Sequence, residues 1–212
     1  MKNPNLLFPG PAYRIVTPRL VIRCWDPRDA ALLKDAVDSS IEHLRTFLPW
    51  AEREPTDLNT KIALLRSFRG KFDLGQDFTY GIFSADETRV IGGTGLHTRP
   101  STDAREIGYW IRAGETQKGY ASETAAALTR VAFEVDGVSR VEIHMDVANE
   151  ASRAVPRRLG YTRFGMLRRS IPRPSGDPSD RELWALIDDE YPASPCASAE
   201  VQAFDVAGRR LW

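Results

Sequence analysis

The stretch Glu106–Glu134, EIGYWIRAGETQKGYASETAAALTRVAFE, decides how the rest of the chain is read. It opens as a strand, with Ile107, Tyr109 and Ile111 alternating against Glu106, Gly108 and Trp110. Ala113-Gly114 breaks it. After Gln117-Lys118-Gly119-Tyr120-Ala121 a helix begins, with Ala125, Leu128, Ala132 and Val135 on one stripe. A strand turning through glycine into a helix N-terminus is a place for an anion, because first-turn N–H groups lack intrahelical acceptors and sit at the positive end of the dipole. Gly119 lets a phosphate approach the backbone, and Lys118 adds positive charge. Taken alone, the pentapeptide fits an ordinary strand–helix turn better, since it matches neither the dinucleotide nor the P-loop pattern.

Upstream, Arg19–Trp25 alternates as a strand, and Asp26 caps a helix with Pro27 at its first position and Ala30, Leu33 and Val37 inward. A short helix (IEHLRTFL) stops before Pro49-Trp50, and a third starts at Thr56 or Asp57, runs past Ile62 and Leu65, and stops at Gly75. Phe78–Phe83 and Arg89–His97 form a hairpin, its second strand marked by Gly92, Gly93 and Gly95 as a bulge or a close contact. A loop at Pro100–Asp103 leads into the Glu106 strand.

Downstream, Ser139–Val147 is a strand with Val141, Ile143 and Met145 facing one way and Glu142, His144 and Asp146 the other. Asn149 caps a helix that ends at Gly160. Strands follow at Tyr161–Ile171 and Glu182–Ile187, separated by a polar loop, Pro172–Asp180. The strand–helix–strand unit around 104–147 is expected to be a right-handed crossover between parallel strands. The fold class is therefore α+β: a mixed sheet with helices on both faces. Residues 1–192 form one domain, and 193–212 a C-terminal extension with a small hairpin through Ala207-Gly208.

Bulk properties exclude several classes. The 212 residues carry 29 basic and 29 acidic side chains, so no polyanion-binding surface is indicated and nucleic acid is not expected as a partner. No apolar run is long enough to cross a membrane. The opening MKNPNLLFPGP is too short in its apolar part, and too broken by proline, for a secretory signal. Cys24 and Cys196 are far apart without metal-type spacing, which fits two free thiols in the cytoplasm. No metal site is expected, since His43, His97 and His144 are scattered.

Three motifs in order carry a resemblance: TPRLVIR with HLRTFLPW, then EIGYWI with QKGYASE, then NEASRAVPRRLGY. Together they resemble the GCN5-related N-acetyltransferases (GNAT), and within them the ribosomal-protein N-terminal acetyltransferases of the RimJ/RimL type, over roughly residues 13–190. The resemblance implies the acyl-CoA N-acyltransferase fold, an α/β/α sandwich whose mostly antiparallel sheet holds one splayed parallel pair. It implies acetyl-CoA as co-substrate and a primary amine as acceptor, on a protein or peptide N-terminus or on a small molecule. A CoA-binding module of the same fold without turnover is the alternative, and a homodimer stays open.

The resemblance also assigns roles. Gln117, Lys118, Gly119, Tyr120, Ala121 and Ser122 would hold the pyrophosphate, mostly by main-chain N–H groups, and Tyr109, Trp110 and Ile111 would offer main chain to the pantetheine arm and thioester, their side chains being read as core. Glu106 would act as base, directly or through water, and would meet the acceptor; otherwise it is an ion-paired strand glutamate. Asn149 is an N-cap on any reading and would also touch the pantetheine arm. Ser152 would meet the sulfur and help protonate the thiolate, or is a capping-region serine. Trp50 would wall the acceptor site, or pack between short helices. Arg99, Arg168, Arg169 and Arg173 are read as solvated charges that an acidic acceptor could recruit.

Two departures stand out. Aligned on Gly119 and Ala121, the first position of the family's Q/R-x-x-G-x-G/A motif falls on Thr116. The tyrosine acid that many members place seven residues after the asparagine is Pro156 here, and that proline is expected to kink or unwind the helix.

Overall fold

A computed structural model describes residues 11–172 and 178–212. The opening decapeptide, Arg173 and most of the Pro172–Asp180 loop lie outside them. The strands are β1 (Arg14–Val16), β2 (Leu20–Cys24), β3 (Phe78–Ser84), β4 (Val90–Ser101), β5 (Ala104–Ile111), β6 (Arg140–Asp146), β7 (Thr162–Ile171), β8 (Ser179–Ile187) and β9 (Gln202–Phe204). The helices are α1 (Ala30–Asp38), α2 (Ile41–Arg45), α3 (Leu58–Asp73), α4 (Tyr120–Val131) and α5 (Glu150–Arg158). The nine strands form one sheet in the order β7-β8-β6-β5-β4-β3-β2-β1-β9. Every neighbouring pair is antiparallel except β5 and β6.

That exception sets the shape of the molecule. The parallel register holds only for Ala104↔Arg140, Arg105↔Val141 and Glu106↔Glu142. Beyond Glu106, β5 stays bonded to β4 as far as Gly92↔Ile111, and β6 stays bonded to β8 as far as Asp146↔Arg181. The sheet thus forks at Glu106 and Glu142. Main-chain polar groups lining such a fork need partners of another kind.

Two cores flank the sheet. On one face Val21, Trp25, Leu33, Val37, Leu65 and Phe83 pack with α1 and α3. On the other, Ile107, Ile111, Val141 and Ile143 pack under Ala125, Leu128 and Val131 of α4 and Ala132 just past its end. The latter is the stripe expected from helical spacing, and each large aliphatic side chain in it contributes about 1.5–3 kcal/mol by burial. Gly92, Gly93 and Gly95 are explained by close approach. A Cβ would fall 2.1 Å from Trp110 O at Gly92, 2.5 Å from the Trp110 indole at Gly93 and 2.3 Å from the His97 ring at Gly95.

Several boundaries differ from the sequence expectation. β4 runs through Pro100 and meets β5 in a tight turn, Ser101↔Ala104, in place of a loop, because the hairpin pairing is extended by the flanking strands. β1 was not anticipated, being only three residues before Thr17-Pro18. α5 continues through Pro156 to Arg158, so the helix does not unwind there. In the C-terminal segment β9 adds to the sheet edge, with Ala203 opposite Ile15, and a turn at Gly208 brings Arg210 back to Phe204. Cys196, Val201 and Ala203 are buried in the same core as α4.

Candidate active site

Helices α4 and α5 both begin just past the carboxyl ends of the forked strands, the usual crevice for a ligand in a sheet with parallel strands. Gly119, the N-cap of α4, has a left-handed φ of +82° and supplies no side-chain capping bond. Gln117 also has a positive φ, +61°. Left-handed residues alternating along a short loop turn successive N–H groups to one side and make a concavity for an anion. Added to the first-turn N–H groups of α4, this fits a diphosphate. Gln117 and Lys118 are exposed there, and Gly119, Tyr120, Ala121 and Ser122 are partly so.

The loop is braced by side chains that sequence reasoning missed. Arg19 donates to the Lys118 carbonyl at 2.9 Å, pairs with Glu123 at 2.6 Å and lies 4.7 Å over the Tyr120 ring. Glu123 also accepts from the Thr17 hydroxyl at 2.6 Å and from the Arg19 main chain at 3.2 Å. Arg158, from the last turn of α5, donates to the Ser122 hydroxyl at 2.9 Å. The Thr-Pro-Arg run was the available signal for Arg19, because a turn closed by proline aims the next side chain. Nothing in the local pattern marked Arg158. Lys118 is not the free charge expected: its ammonium bonds Glu115 at 2.8 Å, and Arg89 bonds the same carboxylate. The Lys118 hydrogen bond holds Glu115 below the usual carboxylate range.

On the α1–α3 face, Glu106 sits where the pairing of β5 and β6 ends. Its carboxylate lies 3.5 Å from the Arg99 guanidinium and 3.7 Å from His144 Nδ1. Arg99 is thus drawn to the site, whereas Arg168 and Arg169 are exposed on β7. Glu142, 5% exposed, accepts from His144 Nε2 at 2.7 Å and from Arg140 at 2.7 Å. Trp110, two positions past Gly108, meets Trp50 edge to face at a centroid distance of 6.0 Å. Trp50 is 40% exposed, so this pair forms an apolar wall open to solvent on the face that holds Glu106.

The opposite face is built from Tyr109 and α5. The Asn149 side chain accepts from Ser152 N at 3.0 Å, as expected of an N-cap. Pro156 lacks the N–H that would bond the Ser152 carbonyl. The Tyr109 hydroxyl takes that place at 3.2 Å and meets Ser152 Oγ at 3.0 Å. Burial pushes the Tyr109 phenol up to about 12, with the Ser152 bond pulling the other way, so it stays protonated. Tyr109 was expected as core or as main-chain donor; its hydroxyl is the missed group. Ile111 is buried in the α4-side core, so only its main chain can serve the fork. Among the described residues no group of three His, Cys, Asp or Glu is arranged to hold a metal. Two cavities open elsewhere, beside Tyr13 and Cys24 and beside Ser39 and Pro55, and neither is lined by Glu106 or Ser152.

A forked parallel pair, an uncapped helix start with left-handed residues and a carboxylate at the fork are the features that the resemblance to acyl-CoA-dependent N-acyltransferases implies. Residues 19–162 match the family model described as an acetyltransferase (GNAT) domain, and the chain belongs to that family. It is an acetyl-CoA-dependent N-acetyltransferase. Among curated proteins it is 26% identical to the [ribosomal protein uS5]-alanine N-acetyltransferase of Escherichia coli, over 73% of this chain and 81% of that one. It is 28% identical to a putative ribosomal N-acetyltransferase of Bacillus subtilis, over 72% and 83%. Among solved structures, the RimL ribosomal L7/L12 α-N-protein acetyltransferase in complex with coenzyme A superposes with a TM-score of 0.73 at 26% identity, over 82% of this chain and 97% of that one.

Proposed function

We infer that the acceptor is the N-terminal α-amine of a protein or peptide, and that the reaction takes place in the fork in the cytoplasm. The observation that carries this reading is the end of β5–β6 pairing at Glu106, which leaves a carboxylate, 15% exposed, where the two strands part. Support for a protein acceptor comes from the curated relatives named for ribosomal proteins. Bound acetyl-CoA supplies an activated acetyl group. The loop Gln117–Ser122 would hold its diphosphate, with Arg19 and Arg158 close by, and the β5 main chain past Glu106 that β6 no longer pairs, as at Ile111, would meet the pantetheine arm with Asn149.

Glu106 takes a proton from the acceptor ammonium, directly or through one water. Trp50 and Trp110 wall the acceptor side. Ser152, its hydroxyl backed by the Tyr109 phenol, donates to the leaving sulfur. General acid–base help of this kind accounts for roughly 10²–10⁴ in rate. The test is CoA release with a panel of peptides starting with Ala, Ser or Met and a parallel panel of small amines. Turnover confined to free N-termini is expected. Turnover confined to small amines would reject a protein acceptor while leaving the chemistry in place.

A further inference from the structure

We propose that His144, fixed by Glu142, is a positioning residue that shares a single proton with Glu106 and carries the net proton of the reaction out of the fork. This rests on Glu106 being the base. Glu142 accepts two short charge-assisted bonds, from Arg140 and from His144 Nε2, at 2.7 Å each. An ionised carboxylate has no proton to give, so Nε2 carries the hydrogen. In a neutral imidazole that leaves Nδ1 as a bare acceptor. Nδ1 faces Glu106 Oε2 at 3.7 Å, and an ionised Glu106 is also only an acceptor. Two lone pairs then face each other with one proton lacking between them. A proton delivered to either atom is drawn to both, and moves to the side that has its own exit.

The exit runs along one face of the sheet. Glu106, Glu142 and His144 share that face by the parallel register and the alternation of β6. The other charged groups on it are Arg99 beside Glu106, His97 held by Asp77 on the β4 side, Arg140 at the far end of Glu142, and Asp146 with its register partner Arg181 on β8. Arg140 keeps its own protons, so it ends the chain as a fixed charge, 41% exposed, beside which Glu142 hands the proton to water.

The proton count leaves one proton for such a pair to hold. The ammonium loses one proton to Glu106, and His144 accepts or shares it. The nitrogen then bonds to the acetyl carbon as the carbon–sulfur bond breaks. The second nitrogen proton goes to the sulfur, by way of Ser152 in the reading above, and leaves as the thiol. One proton remains, and it is the one held between Glu106 and His144 until it passes to solvent.

Two measurements test this on the intact protein. Imidazole ¹⁵N spectra, with His144 assigned by its loss in His144→Gln, need no acceptor. The expected result is the Nε2–H tautomer in the neutral form and a His144 titration that moves in Glu106→Gln, while exposed His43 is unchanged. An Nδ1–H tautomer, or a titration indifferent to Glu106, overturns the proposal. In turnover of an alanine-starting peptide, His144→Gln is expected to lower kcat about tenfold or more with acetyl-CoA affinity unchanged, to shift the activity optimum to higher pH, and to be partly rescued by added imidazole. A wild-type rate and pH profile in His144→Gln, alongside a crippled Glu106→Gln, would reject the shared proton and keep Glu106 as base. Unchanged rates in both would reject the base assignment itself.

Discussion

Around Gly119 the fork is lined by main chain that side chains hold in place, whereas around Glu106 it is lined by side chains that main chain holds in place. In the first region Arg19, Thr17, Glu123 and Arg158 touch the loop from outside, and what remains for a ligand is N–H groups. In the second, three adjacent strands set the register that brings Arg99, Glu106 and His144 together. Binding thus depends on a conformation and chemistry on a constellation, and substitutions should separate the two. The largest effect is expected at Glu106. Glu106→Gln should lower kcat/KM by about 10²–10⁴, the range of a positioned base, with the acetyl-CoA Kd within twofold by calorimetry. A parallel loss of cofactor affinity would show that the two regions are not separable.

Gly119→Val is the converse change. A β-branched residue at φ +82° is strained, and even a Cβ there lies 3.4 Å from the Arg19 guanidinium. About 1–2 kcal/mol of left-handed strain corresponds to roughly a tenfold weaker acetyl-CoA Kd. The kcat at saturating cofactor should change much less. A large fall in kcat with unaltered Kd would place Gly119 in the chemistry.

This contrast explains what could be read before the fold was known. A backbone site is announced by local sequence: strand alternation, a glycine, then a helical stripe, all within Glu106–Val131. The Asn149 cap and Ser152 are equally local, three residues apart. The Glu106–His144–Glu142 cluster is not, because its register is fixed by pairing across 36 residues of chain, although the shared face of Glu142 and His144 was visible as alternation. Tyr109 was misjudged for a related reason. Its alternation marked it as inward, but only the missing N–H of Pro156 gives its hydroxyl a carbonyl to bond. The N-terminal brace escaped because Thr17 and Arg19 meet Glu123 and Lys118 across about a hundred residues of chain, a pairing no local pattern records.

Arg19→Ala sharpens the first half of the comparison. The guanidinium is half exposed, so its ion pair with Glu123 is worth little, about 0–1 kcal/mol. Its bond to the Lys118 carbonyl adds an amount of the same order. Acetyl-CoA affinity should fall several-fold and become less sensitive to salt, with kcat preserved at saturation. An unchanged Kd would mean that the loop holds its shape without the brace.

The smallest effect, and the most diagnostic of how the two walls meet, is expected from Tyr109→Phe. The substitution removes one neutral hydroxyl and leaves the ring packed. It strands the Ser152 carbonyl, which Pro156 has already deprived of its helical donor, and it leaves Ser152 Oγ with one partner fewer. A hydrogen bond of this kind is worth about 0.5–1.5 kcal/mol, or roughly a three- to tenfold fall in kcat. Sign and pH both matter. Burial keeps the phenol protonated up to about 12, so Tyr109 is in its donor form throughout the working range. Its removal should lower the pH–rate profile uniformly without moving either limb. A substitution at Glu106 or His144 should instead displace the limb on which the acceptor loses its proton. If Tyr109→Phe shifted a limb in the same way, the phenol would be exchanging protons with the acceptor side, and the division between the two faces of β5 would fail.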